Sequence, residues 1–84
     1  MSEIREYFFG LLEKEIENAY AEHGTELWTR HEFYGILKEE VDELWAGIKA
    51  NASSEQLLEE LVQVAAMCLR YFETGNRNAN GKQL

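Results

Sequence analysis

The chain has 84 residues, too few for a second core, and at this size folding hides only about 60 to 65% of the unfolded surface, so one small domain of modest stability is expected. Sixteen acidic against eight basic residues leave a net charge of -8, which opposes direct binding to nucleic acid or to an anionic membrane, since both need a cationic surface. The absence of proline and the abundance of glutamate favour an all-α chain, and the single Cys68 excludes an internal disulfide framework or a cysteine zinc cage. No apolar stretch approaches the roughly 18 residues of a membrane span, and the opening residues lack the basic-then-apolar order of a signal peptide, so a cytoplasmic location is expected.

Three helices are predicted in chain order. The first runs from about Ser2 to Glu22 and is closed by Gly24, because glycine readily takes the left-handed conformation that ends a helix. The second begins at a capping box formed by Thr29 and Glu32, with Trp28 and Phe33 placed as a hydrophobic staple, and continues to about Lys49. Loop chemistry follows at Asn51-Ala52-Ser53-Ser54, and Ser53 with Gln56 forms a second capping box that opens a third helix, ending near Thr74. Residues 1–75 thus read as one helical domain and 76–84 as a polar tail without apolar periodicity. The expected architecture is an antiparallel bundle of three main helices.

Helical phase assigns the buried faces. Helix one should bury Ile4, Tyr7, Phe8, Leu11, Leu12 and Ile16, with Glu15 near the middle of that stripe. Helix two should bury Phe33, Leu37, Val41, Leu44, Trp45 and Ile48, yet Glu40 falls inside the apolar sector and Glu43 at its edge. Helix three is apolar around most of its circumference, with Leu57, Leu58, Leu61, Val64, Ala65, Cys68, Leu69 and Phe72 on one side and Met67 and Tyr71 continuing the arc, and Glu60 falls between Met67 and Tyr71 with Gln63 beside it. Three helices cannot cover so wide an arc, so a homodimer or homotetramer is expected to complete the bundle, with Ala65 and Ala66 permitting close helix approach.

A carboxylate among apolar groups must neutralise, pair with a cation or coordinate a metal, because an isolated buried charge is strongly unfavourable. Glu40 with Glu43, and Glu60 with Gln63, each stand three residues apart and therefore share a helix face. A short loop makes helices two and three antiparallel, which sets one pair against the other. Carboxylates facing each other across helices form metal sites in bundle cores, and hard oxygen donors without Cys or His suit Mg²⁺, or alternatively Mn²⁺. The expected metal ligands are Glu40, Glu43, Glu60 and Gln63.

The same residues carry a resemblance. Glu39-Glu40-Val41-Asp42-Glu43 fits the EExxE motif of the MazG-like all-α nucleoside triphosphate pyrophosphohydrolases, and Glu60-Leu61-Val62-Gln63 stands where that family has ExxD, after 16 intervening residues. The longer string from His31 to Trp45, with Gln63 to Met67, is similar to the short MazG-like proteins of bacterial and phage genomes, and the resemblance spans roughly residues 29 to 72. It implies a Mg²⁺-dependent hydrolase that cleaves a nucleoside triphosphate between its α and β phosphates, giving a monophosphate and pyrophosphate. It makes residues 1–75 one MazG-like domain and agrees with a homo-oligomer. On that reading Glu39 is the catalytic candidate, as general base or outer acceptor, and Gln63 orients a ligand water. Lys38, Lys49, Arg30 and Arg70 are the cations offered for phosphate contact. The chain departs from the pattern at Gln63, since a neutral amide binds Mg²⁺ less strongly than a carboxylate.

Other readings of these residues are plainer. Glu39, Asp42 and Glu59 also fit solvated helix faces with i,i+4 partners. Glu15 fits an imperfect helix edge, His31 a surface position and His23 a complement to a helix dipole. Cys68 is expected to be a small buried hydrophobe, and Trp45, Tyr34 and Tyr71 core or interface packing. Two further functions remain open at this point. One is a catalytically inactive MazG-like homologue that binds a nucleotide or a partner and regulates, suggested by Gln63, and the other is a small acidic interaction protein, suggested by the net charge.

Overall fold

The computed structural model describes residues 2–24 and 28–76, and these form α1 (Ser2–His23), α2 (Arg30–Lys49) and α3 (Ser54–Arg70), which continues into a π-helical segment, Tyr71–Asn76. The fold is an all-α bundle of three helices, and among the described residues there is no strand. No helix of the described chain is long and apolar enough to cross a membrane. The polar tail expected from residue 76 lies outside the described residues, apart from Asn76.

The caps follow the local sequence. Gly24 takes φ of 71°, and its N–H donates to the Tyr20 carbonyl at 2.8 Å. At the start of α2, the Glu32 N–H donates to Thr29 Oγ1 at 3.1 Å and the Thr29 N–H donates to Glu32 Oε1 at 2.9 Å, so two otherwise orphaned donors are satisfied reciprocally. Trp28 stacks on Phe33 at 6.3 Å between centroids, as a staple requires. The same reciprocal pair recurs at Ser53 and Gln56. Between them, Asn51 at φ 61° reverses the chain, with Asn51 N–H to Ile48 O at 3.1 Å and Ala52 N–H to Gly47 O at 2.9 Å. That bonding closes α2 as a Schellman motif. Asn is one of the few side chains that tolerate the left-handed conformation it needs. Gly47 packs at the same corner, where a Cβ would make ordinary contact with Leu57 Cδ2 at 3.4 Å.

The four-residue corner turns α3 antiparallel to α2, while α1 and α3 run in the same direction, as shown by the hydrogen bond from Tyr20 near the end of α1 to Glu73 beyond the end of α3, 2.7 Å. α3 is the centre of the molecule. It packs on α1 and on α2, whereas direct contact between α1 and α2 is slight. The three helices therefore leave an open groove between α1 and α2, floored by α3.

Burial departs from the expected faces in an instructive way. α2 half-buries Phe33, Ile36, Leu37, Glu40, Leu44 and Gly47, so the misplaced acid does lie in the inward stripe. Val41, Trp45 and Ile48 flank that stripe and are exposed, Trp45 by 54%. α3 buries Val62, Ala66, Met67 and Arg70, a ridge nearly opposite the predicted centre of its arc, and Leu61, Cys68 and Phe72 stay exposed. Cys68 is thus a surface thiol rather than a core residue. The cause is that α3 is apolar on nearly all sides, so its neighbours settle where the small Ala66 allows close approach and the rest goes uncovered. On α1 the core begins late: Ile16 and Ala19 are buried, Phe8, Leu11 and Leu12 half-buried, while Ile4 and Tyr7 are exposed.

Arg70 stands where the α-helix passes into the π-helical segment. It is 8% exposed, with its guanidinium 5.0 Å from the Trp28 ring and 5.7 Å from the Tyr20 ring, and Thr74 Oγ1 donates to its carbonyl at 2.8 Å. Two aromatic faces thus shelter a cation at the end of the bundle. Tyr71 beside it stacks on Phe33 at 4.3 Å, which ties the π-helical segment to α2. The Tyr20 hydroxyl is pushed up to about 12 by burial first, then by its hydrogen bond to Glu73 and that carboxylate's charge, with Arg70 opposing.

Candidate metal centre

The groove between α1 and α2 encloses about 670 Å³ and is lined by all three helices. α2 contributes Glu40 and Glu43, one turn apart on its inward side, and α3 contributes Glu55, Glu59, Glu60 and Gln63. From α1 come Leu11, Lys14, Glu15 and Asn18, a face set by spacings of three and four residues.

Within the groove, Glu40, Glu43 and Glu60 each offer a carboxylate oxygen, and the three oxygens lie within 4.8 Å of one another. Glu40 and Glu60 are half-buried and Glu43 is exposed. Glu60 Oε1 is out of reach of solvent and has no hydrogen-bond partner. A buried polar oxygen without a donor is unfavourable. Burial raises the Glu40 carboxyl above its usual range, and the charges of Glu43, Glu60, Glu39 and Glu15 push it further in that order. Four neighbouring acids therefore raise the proton affinity of this carboxyl, and the same potential draws any small cation.

Of the residues expected at the site, Glu40, Glu43, Glu60 and Gln63 all line this groove, whereas Glu39 is exposed and stands outside the lining. Glu15, which also fitted an imperfect helix edge, faces the groove. The cations expected to meet phosphate are elsewhere. Lys38 binds Asp42 at 3.0 Å, Lys49 lies 5.5 Å over the Trp45 ring, and Arg70 is held between Trp28 and Tyr20. Arg30 is exposed at the start of α2 and does not line the groove. His31 is an exposed helix residue, and His23 sits 3.5 Å from Glu22. Sequence reasoning overlooked Lys14 and Asn18: both share the α1 face of Leu11 and Glu15, but that this face lines the acidic groove depends on how the three helices are placed.

The donor set fits a hard divalent cation: three carboxylates on two facing helices, one carboxylate oxygen with no other partner, and Gln63 lining the same groove. Comparison of the chain with protein families, with curated proteins and with solved structures finds no match.

Proposed function

We propose that the groove is the active site of a Mg²⁺-dependent nucleoside triphosphate pyrophosphohydrolase, with Glu40, Glu43 and Glu60 holding the metal and Gln63 at its edge. The observation that carries this reading is the buried, unpartnered Glu60 Oε1 in a cluster of three carboxylate oxygens within 4.8 Å. The MazG-like motif pattern in the same residues supplies the reaction: water adds across the bridge between the α and β phosphates, and a monophosphate and pyrophosphate leave. A bound Mg²⁺ or Mn²⁺ would supply neutralisation of phosphate charge and a water of lowered pKa.

The chain's own residues then have distinct tasks. Lys14 is the one basic side chain among the described residues lining the groove, so it is the candidate for direct phosphate contact, in place of Lys38, Lys49, Arg30 or Arg70. Asn18 and Gln63 can donate to phosphate or hold a water. Glu39, on the exposed side of α2, suits an outer acceptor or a proton relay better than a ligand. The exposed apolar residues Val41, Trp45 and Ile48 on α2, with Leu61 on α3 and Phe72 in the π-helical segment, suit a homo-oligomer in which a second copy covers them.

Gln63 favours a second reading, in which the groove binds a nucleotide without turnover. Pyrophosphate release from a panel of canonical and modified nucleoside triphosphates with Mg²⁺ distinguishes the two. The enzyme reading expects release that falls by at least about 100-fold in Glu40→Gln with helix content unchanged. Absence of release in the wild type, with release gained in Gln63→Asp, would establish the binding protein instead. Silence in both would remove the hydrolytic reading.

A further inference from the structure

A second groove runs along the other side of α1, between that helix and the end of α3, and encloses about 720 Å³. Its floor is apolar: Phe9, Leu12 and Ile16 from α1, and Leu69 from α3. Phe9 is 56% exposed and Leu69 36%, so this floor is open to solvent. Its rim is acidic, with Glu6, Glu13 and Glu17 spaced along α1 and Glu73 across from them. The Tyr20 hydroxyl, donating to Glu73 at 2.7 Å, pins the far end of that rim. No basic residue occurs among the described residues that line the groove.

Gly10 lies on the same face, and a Cβ built there would meet nothing within 4 Å. A mid-helix glycine is less favourable than alanine. No packing inside the chain explains that cost, whereas a backbone laid along the groove would use the space. From Glu6 to Tyr20 the groove follows four turns of α1, about 21 Å, the length of a helix of about 14 residues.

We propose that this groove docks a cationic amphipathic helix of a partner protein, with the partner's apolar stripe on Phe9, Leu12, Ile16 and Leu69 and its Lys or Arg residues against the four glutamates. Charge complementarity selects this occupant. A second copy would bring a surface with twice as many acids as bases, and a symmetric contact would set Glu6, Glu13 and Glu17 against their own equivalents. The surface is separate from the metal groove and independent of the reaction proposed there.

The test titrates the isotope-labelled full chain with a synthetic helical peptide of about 16 residues, with leucines at i, i+3, i+4 and i+7 flanked by lysines, and with a control carrying glutamates in place of the lysines. Amide shift changes should map to α1 and to Leu69–Glu73, and the lysine peptide should bind at least about tenfold more tightly than the control. Raising salt from about 0.05 to about 0.5 M should weaken it by a similar factor. Gly10→Trp, which fills open space, should abolish the mapped shifts while leaving helix content unchanged, and the pair Glu13→Lys and Glu17→Lys should weaken binding at least about tenfold. Equal binding of both peptides, or shifts confined to the Glu40 groove or the outer face of α2, would overturn the proposal. So would a change in the chain's own sedimentation on Gly10→Trp, because it would show the groove filled by a second copy.

Discussion

Glu40 is where stability and the proposed chemistry oppose each other most directly. Its carboxyl is raised by burial and then by Glu43, Glu60, Glu39 and Glu15, so in the folded chain it holds a proton to higher pH than in the unfolded chain. The associated stabilisation is complete below the ordinary value of 4.5 and is lost as pH rises through the raised value. In chelator-treated protein, thermal denaturation should therefore show stability falling as pH rises through the window above 4.5, and Mg²⁺ should restore it on the high-pH side. Glu40→Gln should flatten that pH dependence and stabilise the metal-free protein at neutral pH by about 0.5 kcal/mol, the size of a like-charge helical pair. Gln63→Asp should do the reverse, adding an acid that lowers metal-free stability and tightens Mg²⁺ binding. Tyr20 behaves differently, since its hydroxyl is raised from 10.0 to about 12 by burial and by Glu73. Its hydrogen-bonded form is stabilising below 10.0 and is lost as pH rises toward 12. Tyr20→Phe should cost about 1 kcal/mol in chemical denaturation and leave any turnover in the Glu40 groove intact.

The helices themselves were legible where signals are local. The capping boxes at Thr29 and Ser53, the staple of Trp28 on Phe33 and the stop at Gly24 are read from residues within a turn of one another, and each forms with the expected partner. Thr29→Ala should accordingly destabilise the chain by about 1 kcal/mol, measured by denaturant midpoint. Which face of α3 goes inward was not legible. Its apolar arc is too wide to mark one direction, and the choice falls to tertiary packing around Ala66, which turns Arg70 and Thr74 inward and leaves Cys68 outside. The π-helical segment beyond α3 was equally hidden, and so were the contacts of Arg70 with Trp28 and Tyr20, which come from distant parts of the chain. The acid cluster lay between these cases. The anomaly of Glu40 and Glu60 inside apolar stripes was visible, while the α1 contribution of Lys14 and Asn18 needed the relative placement of three helices.

Taken whole, the described chain has a thin core. Only Ile16, Ala19, Val62, Ala66 and Met67 are buried apolar residues, and none of the larger side chains is fully enclosed. By contrast, Trp45, Val41 and Ile48 on α2, Leu61 on α3 and Phe72 in the π-helical segment are exposed, which suits the proposed second copy. Trp45→Glu should then shift sedimentation toward the monomer and lower the melting temperature at a given concentration, whereas wild type should melt at higher temperature as concentration rises. A concentration-independent, monomeric wild type would show that this face serves something else. The proposals thus give the three surfaces separate uses: the acidic groove for a metal and its substrate, the α2 face for a second copy, and the groove beyond α1 for a cationic helix.

The most direct test of the metal centre is titration of the chelator-treated chain with Mn²⁺, followed by electron paramagnetic resonance, alongside Glu40→Gln and the distant variant Tyr20→Phe. Saturable binding that Mg²⁺ displaces, weakened at least about tenfold in Glu40→Gln and unchanged in Tyr20→Phe, is the expected result. Equal Mn²⁺ binding by the wild type and Glu40→Gln, or none by either, would contradict a metal site built from Glu40, Glu43 and Glu60.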